Sequence, residues 1–201
     1  MLSDDESRIV TLPQDDNAGL AQSIRVMEDN KSTQFLTALS TNTTVARLRA
    51  LALAVGVPHQ HRAEIWARVL GLVGPDPAQW HQQLKLRRDE YVTRVQSLST
   101  NTSPESVVQL QMIAVDVPRT HPQGWGLLFS DPVMQHSLQR VLLVWSVNHP
   151  GVAYYQGLND LVVPLYIVFM TACLGPLSDE HDEYVLNKHI HYLLPSILPL
   201  I

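Results

Sequence analysis

The sequence predicts an all-α fold, and three observations carry that prediction. Apolar residues recur three and four positions apart in six segments, two Asp-Pro pairs stand where helices begin, and no region alternates apolar and polar residues as several strands would. The chain has 201 residues, 45% of them hydrophobic. A chain of this size buries roughly 70% of the surface its unfolded form exposes, so one main domain is expected. No internal repeat of fixed period interrupts that picture.

Residues 1–30 stand apart. They hold seven acids (Asp4, Asp5, Glu6, Asp15, Asp16, Glu28, Asp29) against Arg8 and Arg25, and so carry the whole formal net charge of −5. With few large apolar side chains and no clear periodicity, they read as an acidic, disordered or loosely held tail, and the fold is expected to start near Phe35. After it, Thr43 or Thr44 caps a helix whose apolar positions are Val45, Leu48, Ala52 and Val55, stopped by Gly56 and Pro58. Ile65, Trp66, Val69 and Leu70 share one face of the next helix, which Gly71, Gly74 and Pro75 end. Asp76 and Pro77 then read as N-cap and first helical position of a helix with Trp80, Leu84, Tyr91, Val95 and Leu98 at helical spacing. STNTSPES, from Ser99 to Ser106, has the composition of a loop.

Val107, Val108, Leu110, Met112 and Ile113 form a further short helical stretch. Asp131 and Pro132 repeat the cap-then-proline signature ahead of a stripe made by Met134, Leu138, Val141, Leu142 and Trp145. The last clear segment, LVVPLYIVFMTACL from Leu161 to Leu174, is the most hydrophobic. It falls short of the roughly 18–20 residues of a membrane span and contains Pro164, so it reads as a buried core helix.

Composition excludes several function classes. Outside the first 30 residues the charges balance, with no basic stripe of the kind that nucleic-acid binding requires. Cys173 is the only cysteine, which leaves no intrachain disulfide and no cysteine-rich zinc motif and fits a reducing, cytoplasmic setting. The N-terminus, MLSDDESRIV, is acidic where a secretory signal is basic and then apolar. Nine histidines include the pairs His59/His61 and His189/His191, but H-x-H turns the two rings to different faces of a helix and no carboxylate follows at hydrolytic-zinc spacing. Surface or core histidines are the reading, with no metal. G-x-S-x-G and G-x-x-x-x-G-K-[ST] are both absent, so the chain shows neither that type of serine hydrolase nor a phosphate-binding loop of its own.

Three short stretches hold polar residues that a core does not need. In GVPHQHRAEIW, Arg62 and Trp66 are four apart on one helix face. In IAVDVPRT, Pro118 removes a backbone donor and disfavours helix at Val117, so Arg119 is expected on a loop at the surface. In AYYQGLND, Tyr154, Gln156, Asn159 and Asp160 surround Gly157 just before the apolar helix. Taken singly, Arg119 reads as a solvated loop arginine, Gln156 as a polar residue at a turn, and Asn159 and Asp160 as caps of the next helix.

In this order and spacing the three stretches resemble the TBC domain, the catalytic domain of Rab GTPase-activating proteins. Its R-x-x-x-W motif is matched by Arg62 and Trp66, its I-x-x-D-x-x-R motif by Ile113, Asp116 and Arg119, and its Y-x-Q motif by Tyr154 and Gln156. GVP before the first motif, Thr120 after the arginine and GLND after the glutamine agree as well. HPGVAYYQGLNDLVVPLYIVF is similar to the branch of the family that acts on Golgi Rabs. The resemblance runs from about Ala46 to Leu174 and fades beyond Gly175, which implies a TBC-type domain over residues 31–201 whose C-terminal lobe is incomplete or divergent.

The resemblance implies an activator acting in trans. Arg119 is the arginine finger that neutralises charge developing on the γ-phosphate, and Gln156 is the glutamine finger whose amide, donor and acceptor at once, orients the attacking water. Asp116 supports the finger by accepting hydrogen bonds from its loop or from Arg62, with which it otherwise forms a structural ion pair. Trp66 and Tyr154 anchor the motif helices, and Gly157 lets a partner's backbone approach. The partner is a GTP-bound Rab, which carries the nucleotide and Mg²⁺, so this chain needs no cofactor. The implied setting is cytoplasmic, peripheral on Golgi or endosomal membranes. The rival expectation is a catalytically silent adaptor that keeps the TBC shape and binds a Rab or another partner without accelerating hydrolysis.

Overall fold

The computed structural model describes residues 14–41, 43–100 and 103–174, and these contain eight α-helices and no strand. Helix α1 spans Gln14–Ser40, α2 Val45–Val55, α3 Arg62–Val69, α4 Trp80–Thr100, α5 Pro104–Asp116, α6 Gly126–Ser130, α7 Pro132–Asn148 and α8 Leu158–Leu174. Short 3-10 turns precede α3 (His59–His61) and α4 (Pro77–Gln79), and another follows α5 (Val117–Arg119).

The helix starts follow the local chemistry. Thr44 accepts the amide of Arg47 at the head of α2, and Ser103 accepts that of Ser106 at the head of α5. Asp131 accepts the amide of Val133 at 2.8 Å with Pro132 as the first residue of α7, as the Asp-Pro signature requires. Asp76 accepts from Ala78, but the element it caps is the 3-10 turn that leads into α4. At the end of α2, Gly56 adopts φ +71° and its amide closes on the Ala52 carbonyl.

Helix α7 is the centre of the domain and touches α4, α5, α6, α8 and the turn after α5. Met134, Leu138, Val141 and Leu142 on α7 pack with Ile113, Val117, Leu128, Phe129, Val163, Tyr166, Phe169 and Met170 in the main core. Tyr166 is fully buried and its hydroxyl is satisfied by Ser137 at 2.8 Å. Pro164 stands on the exposed side of α8. The apolar run is therefore a core helix, and none of the described helices is long and apolar enough to cross a membrane.

A second, smaller core joins Phe35 and Leu39 of α1 to Leu48 of α2 and Ile65 of α3. It starts at Phe35, near the expected start of the fold, and the described part of the expected tail before it is a helix exposed from Ala18 on. From Gln14 onward the chain is helical, and residues 1–13 lie outside the described residues. Ser32 contacts the His61 ring at 2.7 Å and receives a bond from Gln60 at 2.9 Å, so the attachment of α1 begins near Ser32. Before that point α1 is exposed, with Leu20, Ile24 and Met27 more than half uncovered. A helix whose described side chains from Ala18 to Asn30 are exposed needs no apolar stripe there, which is why periodicity gave no sign of it.

The stretch Ser99–Ser106 also differs from its expected loop. Helix α4 runs to Thr100 and α5 begins at Pro104, because Ser103 with Pro104 makes a cap and first turn rather than a loop. The five-residue α6, too short to show a period, is an addition. Residues 175–201, with His189 and His191, lie outside the described residues.

Candidate functional site

Helix α5 ends at Asp116, and the chain tightens into the turn Val117–Arg119 with Pro118 inside it. Val117 is fully buried and anchors the turn, which leaves Arg119 exposed at its end and without a hydrogen bond or ion pair among the described residues. Gln156 is exposed in the turn that opens α8. In sequence the two stretches lie on either side of α7, and they meet through side chains that flank Arg119 and Gln156.

Tyr154 is 3% exposed, and its hydroxyl donates to Asp116 Oδ2 at 2.8 Å and shares the same proton with Asn159 Oδ1 at 3.2 Å. Asn159 Nδ2 donates to Thr120 Oγ1 at 2.9 Å and to Asp160 Oδ1 at 3.1 Å. Thr120 in turn donates to the Asp116 carbonyl at 3.3 Å. Asp116 and Thr120 lie on either side of Arg119, while Tyr154 and Asn159 lie on either side of Gln156. A closed ring of four residues, completed through the Asp116 backbone carbonyl, therefore ties the two turns. Gln109 of α5, two helical turns before Asp116 and on the same face, adds a 2.6 Å bond from the Tyr154 amide to its Oε1.

The electrostatics keep that ring in one protonation state. Burial, and then the Asp116 carboxylate that takes its hydrogen bond, push the Tyr154 phenol well above its ordinary range. It therefore stays protonated, and a donor, at neutral pH.

The other expected site residues fall differently. Arg62 is exposed on α3 and donates through Nε to the Val57 carbonyl at 3.2 Å, so the Arg62–Asp116 pair does not form. Asp116 satisfies itself with the Tyr154 hydroxyl instead. Trp66 is half-buried and packs against the main core. Asn159 does not cap α8: it is the second residue of that helix, 5% exposed, and its amide is spent on the ring. Gln109 is the member that sequence reasoning passes over, while it marks Thr120 only as a neighbour of the arginine and Asn159 only as a cap. Their one visible signal is that polar side chains stand at positions with a helix face or turn to bury.

The local backbone is set by two opposite choices. Gly157 takes φ +94°, a conformation that a Cβ disfavours, and no atom crowds the place a Cβ would occupy. Ala153 takes φ +59° without being glycine, after the amides of Val152 and Ala153 both close on the His149 carbonyl. Equilibrium urea unfolding is expected to separate them. Gly157→Ala should lower stability by about 1–2 kcal/mol, whereas Ala153→Gly should leave it unchanged or raise it by up to about 1 kcal/mol.

The comparisons with known proteins agree with the all-α fold. The chain belongs to the Rab-GTPase-TBC domain family, which matches residues 59–186, more than half of it. It is similar to the GTPase-activating protein gyp1 of Schizosaccharomyces pombe, 39% identical over 163 residues that cover 75% of this chain and 31% of that protein. It is also similar to human TBC1 domain family member 22B, 30% identical over 186 residues, which cover 92% of this chain and 35% of the relative. Among solved structures, the Ypt/Rab-GAP domain of Gyp1p aligns with a TM-score of 0.72 at 25% identity, over 86% of this chain and 54% of that one. The chain thus spans about a third of the length of these curated relatives.

Proposed function

We propose that this domain is a GTPase-activating protein for a Rab-type small GTPase, with Arg119 as arginine finger and Gln156 as glutamine finger, acting in membrane traffic. The observation that carries the reading is the ring of Asp116, Thr120, Tyr154 and Asn159, which ties together the turns of two exposed and otherwise uncommitted side chains.

The chemistry asked of the chain is small. Hydrolysis in a small GTPase is slow because charge grows on the phosphate oxygens and the water is poorly held. A guanidinium offers five donors in a rigid fork to that charge. A carboxamide accepts from the water with its oxygen and donates with its nitrogen, which fixes the water's direction. Nucleotide and Mg²⁺ come with the GTPase. The similarity to gyp1, itself named a GTPase-activating protein, supports the activity, and the family supports a Rab as partner. The same reading places the protein on the cytoplasmic face of Golgi or endosomal membranes.

Single-turnover phosphate release from a panel of GTP-loaded Rabs tests this. Wild type should raise the rate on at least one Rab by roughly a thousandfold or more, and Arg119→Ala and Gln156→Ala should each remove most of that gain. If wild type binds a Rab and release stays at the intrinsic rate, the domain is a binding module and the proposal fails.

A further inference from the structure

We infer that Asn159, acting through Thr120, is a positioning residue that couples the Arg119 turn to the Gln156 turn, so that both side chains are presented as one unit. The inference rests on the GTPase-activating reading for its kinetic consequence, but its structural part stands on the ring alone.

Three observations carry it. Asn159 and Thr120 are 5% and 1% exposed, so neither is available to a partner, and their work is internal. The hydrogen-bond inventory of Asn159 is nearly saturated: the carbonyl accepts from Tyr154, and the two amide hydrogens go to Thr120 and Asp160. Thr120, finally, adjoins Arg119 directly. Its hydroxyl accepts from Asn159 while donating to the Asp116 carbonyl, so one oxygen pins the turn from both ends.

An apolar contact would hold the two turns close but would not fix their direction. The ring does fix it, because each bond has one donor and one acceptor and none can be reversed. Asn159 Nδ2 can only donate, Asp116 Oδ2 can only accept, and the Tyr154 phenol is held protonated by burial and by that carboxylate. Losing the bond between Asn159 and Thr120 opens the ring at the link between α8 and the Arg119 turn. The turn keeps its own backbone bonds, but its hydrogen-bonded tie to the Gln156 turn is then the Asp116–Tyr154 bond, and the arginine is free to swing relative to the glutamine. Misplacement of a reacting group by about 1 Å costs on the order of a hundredfold in rate.

The test uses the full chain with Thr120→Val, which keeps the shape and removes the hydroxyl, Asn159→Leu, and Thr120→Ser as the conservative control. Hydrogen exchange read by mass spectrometry should show peptides over 113–121 and 152–158 gaining exchange together in Thr120→Val and Asn159→Leu, with Thr120→Ser close to wild type. On the Rab that responds best, the two disruptive variants should lose about tenfold to a hundredfold in kcat while KM moves less than about threefold. A merely structural role would not give that split. Exchange that rises in only one of the two peptides, or in neither, overturns the coupling, as does a kcat within about twofold of wild type in both disruptive variants. Failure of wild type to activate any Rab counts instead against the GTPase-activating reading, and the exchange result then decides the coupling on its own.

Discussion

Arg119→Lys is expected to lose nearly all of the stimulated hydrolysis, roughly a thousandfold in single-turnover phosphate release, although the charge is kept. That corresponds to about 4 kcal/mol of transition-state stabilisation. The reason is geometric. A guanidinium presents its donors in a fixed plane and reaches two phosphate oxygens or an oxygen and a neighbouring carbonyl at once, whereas an ammonium is a point charge on a flexible stem. The turn that carries Arg119 is held firmly: Val117 is buried, Pro118 restricts its backbone, and Thr120 is bonded from the far side. Because Arg119 is exposed and makes no hydrogen bond among the described residues, the same variant should unfold within about 0.5 kcal/mol of wild type. A lysine variant with a third or more of the wild-type rate would mean that charge alone suffices, and would remove Arg119 from its proposed role.

The sequence made some of this legible and hid the rest, and distance along the chain explains the division. The helix starts at Asp131-Pro132 and at Thr44 could be read because a cap involves residues only two or three apart. The stripe on α7 could be read because burial on one face imposes its period on the sequence. The exposure of Arg119 followed from Pro118 beside it. Helix α1 escaped notice because its side chains from Ala18 to Asn30 are exposed, and α6 because five residues cannot show a period. The bond between Asn159 and Thr120 joins residues 39 positions apart, and local chemistry assigned Asn159 the commoner task of capping. Arg62 drew attention by its motif, while the arginine that the fold encloses, Arg68, carried no signal at all.

Arg68→Ala is expected to lower global stability by about 3 kcal/mol, because the buried Arg68 guanidinium ties α3 to the chain on either side of it. It is 2% exposed on α3, and its guanidinium donates through Nη1 to the Pro75 carbonyl at 3.1 Å and through Nη2 to the Thr43 carbonyl at 2.7 Å. Thr43 belongs to the link between α1 and α2, and Pro75 to the turn between α3 and α4. That turn is itself tied to α4 by Trp80, whose indole donates to the Gly74 carbonyl, and by Gln83, which accepts the Gly74 amide. A hydrogen bond from a charged donor contributes about 1.5–3 kcal/mol, and alanine removes two of them while leaving both carbonyls without that donor. Relief from burying the charge offsets part of the loss, which is why the expected figure lies below the sum. Arg68→Met keeps most of the volume and drops only the donors, so it should cost about 2 kcal/mol and separate bonding from packing. In a thermal melt, alanine should lower Tm by about 6–12 °C for a domain of this size. Below its transition the variant should still activate hydrolysis, since no atom of Arg68 reaches the ring around Arg119 and Gln156. The two arginines thus make opposite demands. The exposed one should abolish rate and spare the fold, and the enclosed one should weaken the fold and spare the rate. A melt in which Arg68→Ala stays within about 2 °C of wild type would show that the backbone carbonyls of Thr43 and Pro75 find other donors.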